Sequence, residues 1–268
     1  MNSLVLASLS LPNLVSRLPG GVAQGIIWGI MALGVYITFR LLDVADLTVD
    51  GSFTTGGAVT VMLIIAGWPA WAALLAAVVA GLLAGLVTGL LHTKLGIPAI
   101  LAGILTQFAL YSINLRIMSM KANTPVNPDK YSLFLTLRSV PGAIWKGLLL
   151  AAVLIALLYW YFGTEQGSAI RATGANPAMS RAQGINTNAN VVFGLMLSNG
   201  LVALSGALLA QFQGAADVNM GRGAIVIGLA AVIIGEVIFG KLFTNFGLKL
   251  LAVSIGAVIY YFVLQIVL

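Results

Sequence analysis

Cysteine is absent from the 268 residues, which excludes disulfides, thiolate metal sites and thiol redox chemistry. Histidine occurs once, at His92, so the usual general base and zinc ligand is almost missing as well. Charge is scarce: Asp, Glu, Lys and Arg together make 7% of the chain, against about 25% in a soluble domain. A chain so poor in charge cannot cover a water-facing surface, and a cytosolic enzyme, a disordered tail and a secreted scaffold are all excluded. Acidic residues are the scarcer kind, 7 against 13 basic ones, for a net charge of +6. The basic residues are scattered singly, with no patch to follow a phosphate backbone, so no nucleic-acid partner is expected.

What fills the chain is apolar: 60% of it is hydrophobic. A helix needs about 20 apolar residues to cross the hydrocarbon core. Uncharged stretches of that order run from Leu18 to Phe39, Gly51 to Thr93, Leu95 to Leu115, Gly147 to Thr164, Ala182 to Ala216 and Leu250 to Leu268. The second is long enough for two crossings, with Gly67-Trp68-Pro69 at the turn between them. The pattern predicts an all-α polytopic membrane bundle of about eight segments, at 20–40, 52–66, 69–92, 97–119, 142–162, 189–212, 223–240 and 247–268, the second and seventh short. The polar connections 121–141 and 163–190 are too short for a separate soluble domain, so residues 1–268 read as one membrane domain. Residues 1–19 lack the positive start and cleavage site of a signal peptide and read as an interfacial lead-in. Lys and Arg divide almost evenly between the two faces, and charge alone does not orient the chain. Small-residue spacing at Gly25-x-x-x-Gly29 and Gly81-x-x-x-Gly85-x-x-x-Gly89 predicts close helix packing within the bundle.

Catalytic constellations are nearly missing. His92 ends an apolar helix, as an interfacial histidine does. Gly235 to Lys241 satisfies the first part of a Walker pattern, but Leu242 stands where Ser or Thr would bind magnesium, so the chain is not itself an ATPase. Asp43, Asp46 and Asp50 would share a face in a helix, and carboxylates at membrane depth require water or partners. Gly51 and Gly56-Gly57 weaken helicity there, and a comparable interruption follows at Asp217-Val-Asn-Met-Gly-Arg-Gly223. Ala45-Asp46-Leu47-Thr48 pairs with Ala216-Asp217-Val218-Asn219 as the trace of an internal duplication. Two readings stand for these breaks: broken helices along a substrate path, with Asp46, Asp50, Gly51, Asp217 and Asn219 as candidates, or loop ends whose Asp and Asn cap helices. Glu236 is a further intramembrane carboxylate, either functional or paired and snorkelling near the helix end at Lys241.

Within 163–190, Asn176-Pro177 is a helix start and Gly184 a stop, which predicts a two-turn helix with Ser180 and Arg181 exposed. A helix so short is marginal alone, so it either rests on headgroups or docks a partner.

The run Arg171-Ala-Thr-Gly174-Ala-Asn176-Pro177-Ala-Met-Ser-Arg181-Ala-Gln-Gly184-Ile-Asn186 resembles the coupling loop of permease subunits in ABC importers for branched-chain amino acids, ribose-type sugars and related solutes. Asp43 to Phe53, Leu204 to Gln211 and Gly228 to Glu236 resemble the second helix and the helices after the coupling loop in that family. The wording is closest to the branch that works with lipoprotein-type binding proteins, with aromatic amino acids among the proposed solutes. The resemblance implies a transport subunit in the bacterial plasma membrane whose cytoplasmic loop 163–190 couples to ATPase subunits through Arg171, Gly174, Asn176, Pro177, Arg181 and Gly184. It further implies a second permease copy and an extracytoplasmic binding protein that docks near 121–141. ATP and magnesium would be held by the ATPase, leaving this chain without a cofactor. Relatives often continue with a polar turn and a helix beyond the position of Leu268. Read without the resemblance, the residues also admit an ion-gradient-driven transporter or channel that uses Asp46, Asp50 or Glu236.

Overall fold

In a bilayer every backbone N–H and C=O must be satisfied within the chain, which favours helices wherever the sequence meets lipid. The computed structural model describes residues 11–267, with side chains from Leu18 onward. Residues 1–10 of the expected lead-in lie outside that range, and 11–19 form the start of the first helix. The helices are α1 (Leu11–Tyr36), α2 (Thr48–Ile65), α3 (Ala70–Thr93), α4 (Ala99–Ile117), α5 (Val140–Gly163), α6 (Glu165–Ala175), α7 (Pro177–Ala182), α8 (Thr187–Gln213), α9 (Ala224–Phe239) and α10 (Phe246–Val267). A π-helical turn, Ile37–Leu41, extends α1, and two short strands, β1 (Asn123–Pro125) and β2 (Ala215–Asp217), pair antiparallel. Among the described residues seven spans are long and apolar enough to cross a membrane, and α9 is a shorter apolar helix. The chain is therefore a multi-pass inner-membrane protein. The short seventh segment follows from its edges: Gly223 at φ 78 starts α9 and Gly240 caps it.

The helices α1, α2 and α8 form the buried centre, whereas α4 and α5 turn most of their apolar surface outward. Hydroxyl groups hold the centre together. Ser198 Oγ donates to the Gly34 carbonyl at 2.8 Å and Ser205 Oγ to the Ile27 carbonyl at 2.7 Å, which ties α8 antiparallel to α1. With no hydrophobic drive between helices in lipid, such bonds and close backbone contact carry association.

The packing repeats. After α1 comes a break, then the hairpin α2–α3, which packs on α8; after α8 comes a break, then the hairpin α9–α10, which packs on α1. Each central helix thus receives the hairpin that follows the other, and because α1 and α8 run antiparallel the two units are inverted. The tetrads Ala45–Thr48 and Ala216–Asn219 fall at equivalent breaks. Their aspartates make the same local bond: Asp46 Oδ1 accepts from the Thr48 N–H at 2.9 Å and Asp217 Oδ1 from the Asn219 N–H at 2.7 Å.

Glycines mark the tightest crossings. Gly25 lies against Val258 of α10, and Gly81, Gly85 and Gly89 lie against α8. A Cβ at Gly206 would strike the carbonyl oxygen of Phe53, and one at Gly56 would strike that of Ala203. Gly206→Ala therefore separates α2 from α8, an overpacking cost of about 1–3 kcal/mol. A thermal melt in detergent is expected to fall for Gly206→Ala, while Gly163→Ala, where a Cβ meets nothing within 4 Å, melts with the parent.

Candidate functional site

The first break builds a polar knot. Past the π turn the chain leaves the helix, with Asp43 in the left-handed region at φ 55, and resumes as α2 at Thr48. The expected shared face of Asp43, Asp46 and Asp50 does not form, because residues 42–47 are not helical. Asp43 is exposed, Asp46 is buried and Asp50 sits in the first turn of α2. Asp46 Oδ2 accepts from Asn199 Nδ2 at 2.7 Å, and Asn199 Oδ1 accepts from Ser52 Oγ at 2.6 Å. Thr48 Oγ1 lies 2.7 Å from Thr88 Oγ1, which donates to Thr106 Oγ1 at 2.9 Å. This chain of groups joins α2, α3, α4 and α8, and every member is buried. A buried carboxyl group requires such complete satisfaction.

The second break is tied to the first by Asp50. Its Oδ2 accepts from the Gly223 N–H at 3.0 Å and its Oδ1 from the Ile225 N–H at 2.9 Å, placing a carboxylate on the positive end of α9. Thr54 Oγ1 accepts from the Gly221 N–H at 3.1 Å. Beside this junction lies a cavity of about 290 Å³ with polar and aromatic side chains in its wall, Asp50 and Gly51 among its lining residues. Asp217 and Asn219 do not line it, and Asp46 is sealed within the knot. Asp217 instead accepts from Asn123 Nδ2 at 3.3 Å across the β1–β2 pair, so it fastens the segment after α4 to the turn before α9. The same segment is held by Gln211 Oε1, which accepts from the Phe134 N–H at 2.8 Å, and by an ion pair between Arg138 and Asp129. The Arg138 guanidinium holds the Asp129 carboxyl below the usual carboxylate range. Both groups are exposed, and the pair contributes little stability.

Connection 163–190 is more ordered than a loop. Thr164 caps the unexpected helix α6, and Gly174 near its end passes so close to α1 that a Cβ would strike the Leu41 carbonyl. Asn190 Nδ2 donates to Thr173 Oγ1 at 3.2 Å, fixing α6 to α8. Asn176 Oδ1 accepts from the Met179 N–H at 3.0 Å and so caps α7, which closes at Gly184 with φ 80. Pro177, Met179 and Arg181 face outward, but Ser180 is buried, contrary to expectation, because α7 lies with that side against the bundle. Arg171 and Arg181 stand on different surfaces. Arg171 is half-buried with its guanidinium 5.5 Å over the Phe246 ring, whereas Arg181 is exposed. Asn176→Ala is expected to cost α7 about 1 kcal/mol, read as faster amide exchange over 177–183, with Asn176→Asp close to the parent.

Glu236 accepts from Arg40 Nε at 2.8 Å, so its partner comes from the π turn after α1 rather than from Lys241. Gly235 to Lys241 forms the last turn of α9 and the turn after it, with no phosphate cradle. His92 Nδ1 shares a hydrogen bond of 2.8 Å with the Ile97 carbonyl and closes the turn after α3. Among the described residues no group of three His, Cys, Asp or Glu could hold a metal ion.

Sequence reasoning missed Asn199, Ser52 and the three threonines of the knot, together with the polar residues of α4 that face the cavity. A signal for them exists: Gln107 and Asn114 are amides in a membrane-spanning helix, and Asn199 is one in the middle of α8. Amides at membrane depth point to an interhelical partner or a wet cavity.

Over residues 18–268 the chain matches the family described as branched-chain amino acid transport system / permease component. It is 42% identical over 241 residues to a tyrosine transport system permease protein of Clostridioides difficile (strain R20291), covering 90% of this chain and 79% of that one. An uncharacterised protein of Rickettsia prowazekii (strain Madrid E) is 35% identical over 249 residues, 91% of this chain and 86% of that one. A nucleoside ABC transporter permease protein of Lactococcus lactis subsp. cremoris (strain MG1363) is 36% identical over 107 residues, 39% of this chain and 32% of that one. With an all-α inverted bundle and matches of this length, the chain belongs to the permease-component family of branched-chain amino acid transport systems and is the transport subunit of an ABC importer, not an enzyme.

Proposed function

We propose that the chain imports an aromatic amino acid as one of two permease copies, powered by separate ATPase subunits and supplied by an extracytoplasmic binding protein of the lipoprotein type. The observation that carries the coupling half of this reading is α7. It is a two-turn helix capped by Asn176 and ended by Gly184, and its Pro177, Met179 and Arg181 face away from the bundle. Through α6 it is fastened to the end of α1 at Gly174 and to α8 at Asn190. Motion imposed on α7 by ATPase closure therefore reaches both central helices of the inverted repeat, and the start of α2 and the turn before α9 wall the cavity. In this reading loop 163–190 is cytoplasmic, with Arg181 contacting the ATPase, Gly174 serving as the anchor and Arg171 as a packing group. The segment 118–139 then lies on the outside, where β1, β2 and the Arg138–Asp129 pair give the binding protein an ordered surface.

The solute half rests on the similarity to the tyrosine transport permease, which spans most of both chains. A gradient-driven carrier is disfavoured because Asp46 is sealed among donors in the knot and Glu236 is paired with Arg40. Uptake of labelled tyrosine into liposomes holding the permease, ATPase and binding protein tests the reading. Uptake that requires ATP and survives collapse of ion gradients is expected. Uptake driven by a gradient without ATP would overturn it.

A further inference from the structure

The cavity of about 290 Å³ at the junction of the two breaks holds the clearest unassigned chemistry in the bundle. Its volume is at the lower end of the ~300–1,000 Å³ usual for small-molecule sites. Along α4, Gln107, Tyr111 and Asn114 fall four and three residues apart, so they share one face, and Phe108 adjoins them. Opposite stand Asp50 of α2 and Arg222 of the turn before α9. Asn114 is fully buried in this wall, and neither its Oδ1 nor its Nδ2 has a hydrogen-bond partner among the described residues. An unsatisfied buried amide costs about 1–3 kcal/mol, a cost that a polar group reaching Asn114 from the cavity would relieve. The Arg222 side chain is exposed and makes no hydrogen bond or ion pair among the described residues, although the Asp50 carboxylate shares the cavity. Asp50 is turned instead toward the N–H groups of α9.

We infer that this cavity is a transit site for the zwitterion of an amino acid, with Arg222 receiving the carboxylate, Asp50 and Asn114 the ammonium, and Phe108 and Tyr111 flanking the side chain. The charges decide the ligand class. A cavity with one carboxylate and one guanidinium that are not paired to each other complements a molecule carrying both signs, whereas an uncharged nucleoside or sugar would leave the Arg222 guanidinium without an anionic partner. The aromatic pair gives a flat apolar wall to an aromatic side chain and a poorer fit to a branched one. The inference rests on the amino-acid reading of the function and adds the residues that hold the solute inside the permease.

Uptake per ATP hydrolysed, measured in liposomes holding the complete importer, is the test. Because Arg222 is exposed, Arg222→Gln should fold. It is expected to lower the number of tyrosine molecules carried per ATP at least tenfold. Arg222→Lys should restore part of that ratio, since a point charge replaces the carboxylate-matching fork. Tyr111→Ala should lower uptake of tyrosine relative to leucine from the same mixture. An unchanged ratio in Arg222→Gln would overturn the proposal, and where uptake and hydrolysis fall together it would assign Arg222 to partner docking. A parent complex that carries no amino acid at all would instead sink the functional reading beneath it.

Discussion

Replacing Asn199 with leucine is expected to destabilise the permease more than any other single change to a side chain of the polar knot. Asn199 is the link between Asp46 at the first break and Ser52 on α2, through bonds of 2.7 and 2.6 Å. Leucine removes the donor to Asp46 Oδ2 and the acceptor for Ser52 Oγ at a point where both residues are buried. Leaving a buried donor or acceptor without its partner costs about 1–3 kcal/mol, and here Asp46 and Ser52 both lose theirs. Against a total stability of ~5–15 kcal/mol, that is a large share. The expected results are a severalfold drop in the amount of chain recovered from membranes and a clear fall in the detergent melt. Ser254→Ala is the comparison, because among the described residues its hydroxyl bonds only to the Leu250 carbonyl of its own helix, at 3.3 Å, and its loss should be nearly silent. An Asn199→Leu protein that melts with the parent would mean that the knot does not hold the break.

Reversing the charge at Arg181 should act in the opposite way, on coupling and not on folding. Arg181 is exposed on α7, so Glu there meets water in the isolated permease. In the assembled importer it would meet the ATPase surface, and like-charge or unpaired groups at such an interface cost several kcal/mol. Tyrosine uptake is expected to fall at least tenfold while the detergent melt of the permease stays with the parent. Arg171→Glu is predicted to differ. Its guanidinium lies over Phe246 and is half-buried, so a carboxylate there loses the cation–π contact and is pressed against an aromatic face. That variant should melt lower, with any loss of uptake following from loss of fold. Parallel behaviour of the two variants would contradict the division between a packing arginine and a docking arginine.

Spans were legible because lipid demands long uncharged helices, and Gly67-Trp68-Pro69 with Asn176-Pro177 and Gly184 carry turn and cap chemistry that acts locally. The inverted repeat left a trace in two aspartate tetrads, because each aspartate bonds an N–H only two residues ahead. Long-range pairings were not legible. Nothing near Asp46 announces Asn199, nothing near Glu236 announces Arg40, and the β1–β2 pair joins Thr124 to Ala216, which the sequence separates by α5 to α8. Ser180 appeared exposed because a two-turn helix has no periodicity long enough to show which side is covered. Asp50 was legible as a carboxylate at a break, but its role in capping α9 depends on two helices that the sequence separates by α3 to α8.

In the proposed function an ATPase drives this permease through α7. Affinity purification of the chain from its native membrane in mild detergent, followed by mass spectrometry of what accompanies it, tests that claim. An ATPase carrying Walker motifs should copurify in a stable complex and should be lost from the Arg181→Glu protein while the permease itself is still recovered. A homo-oligomer free of any ATPase, with tyrosine uptake that follows an ion gradient, would contradict it.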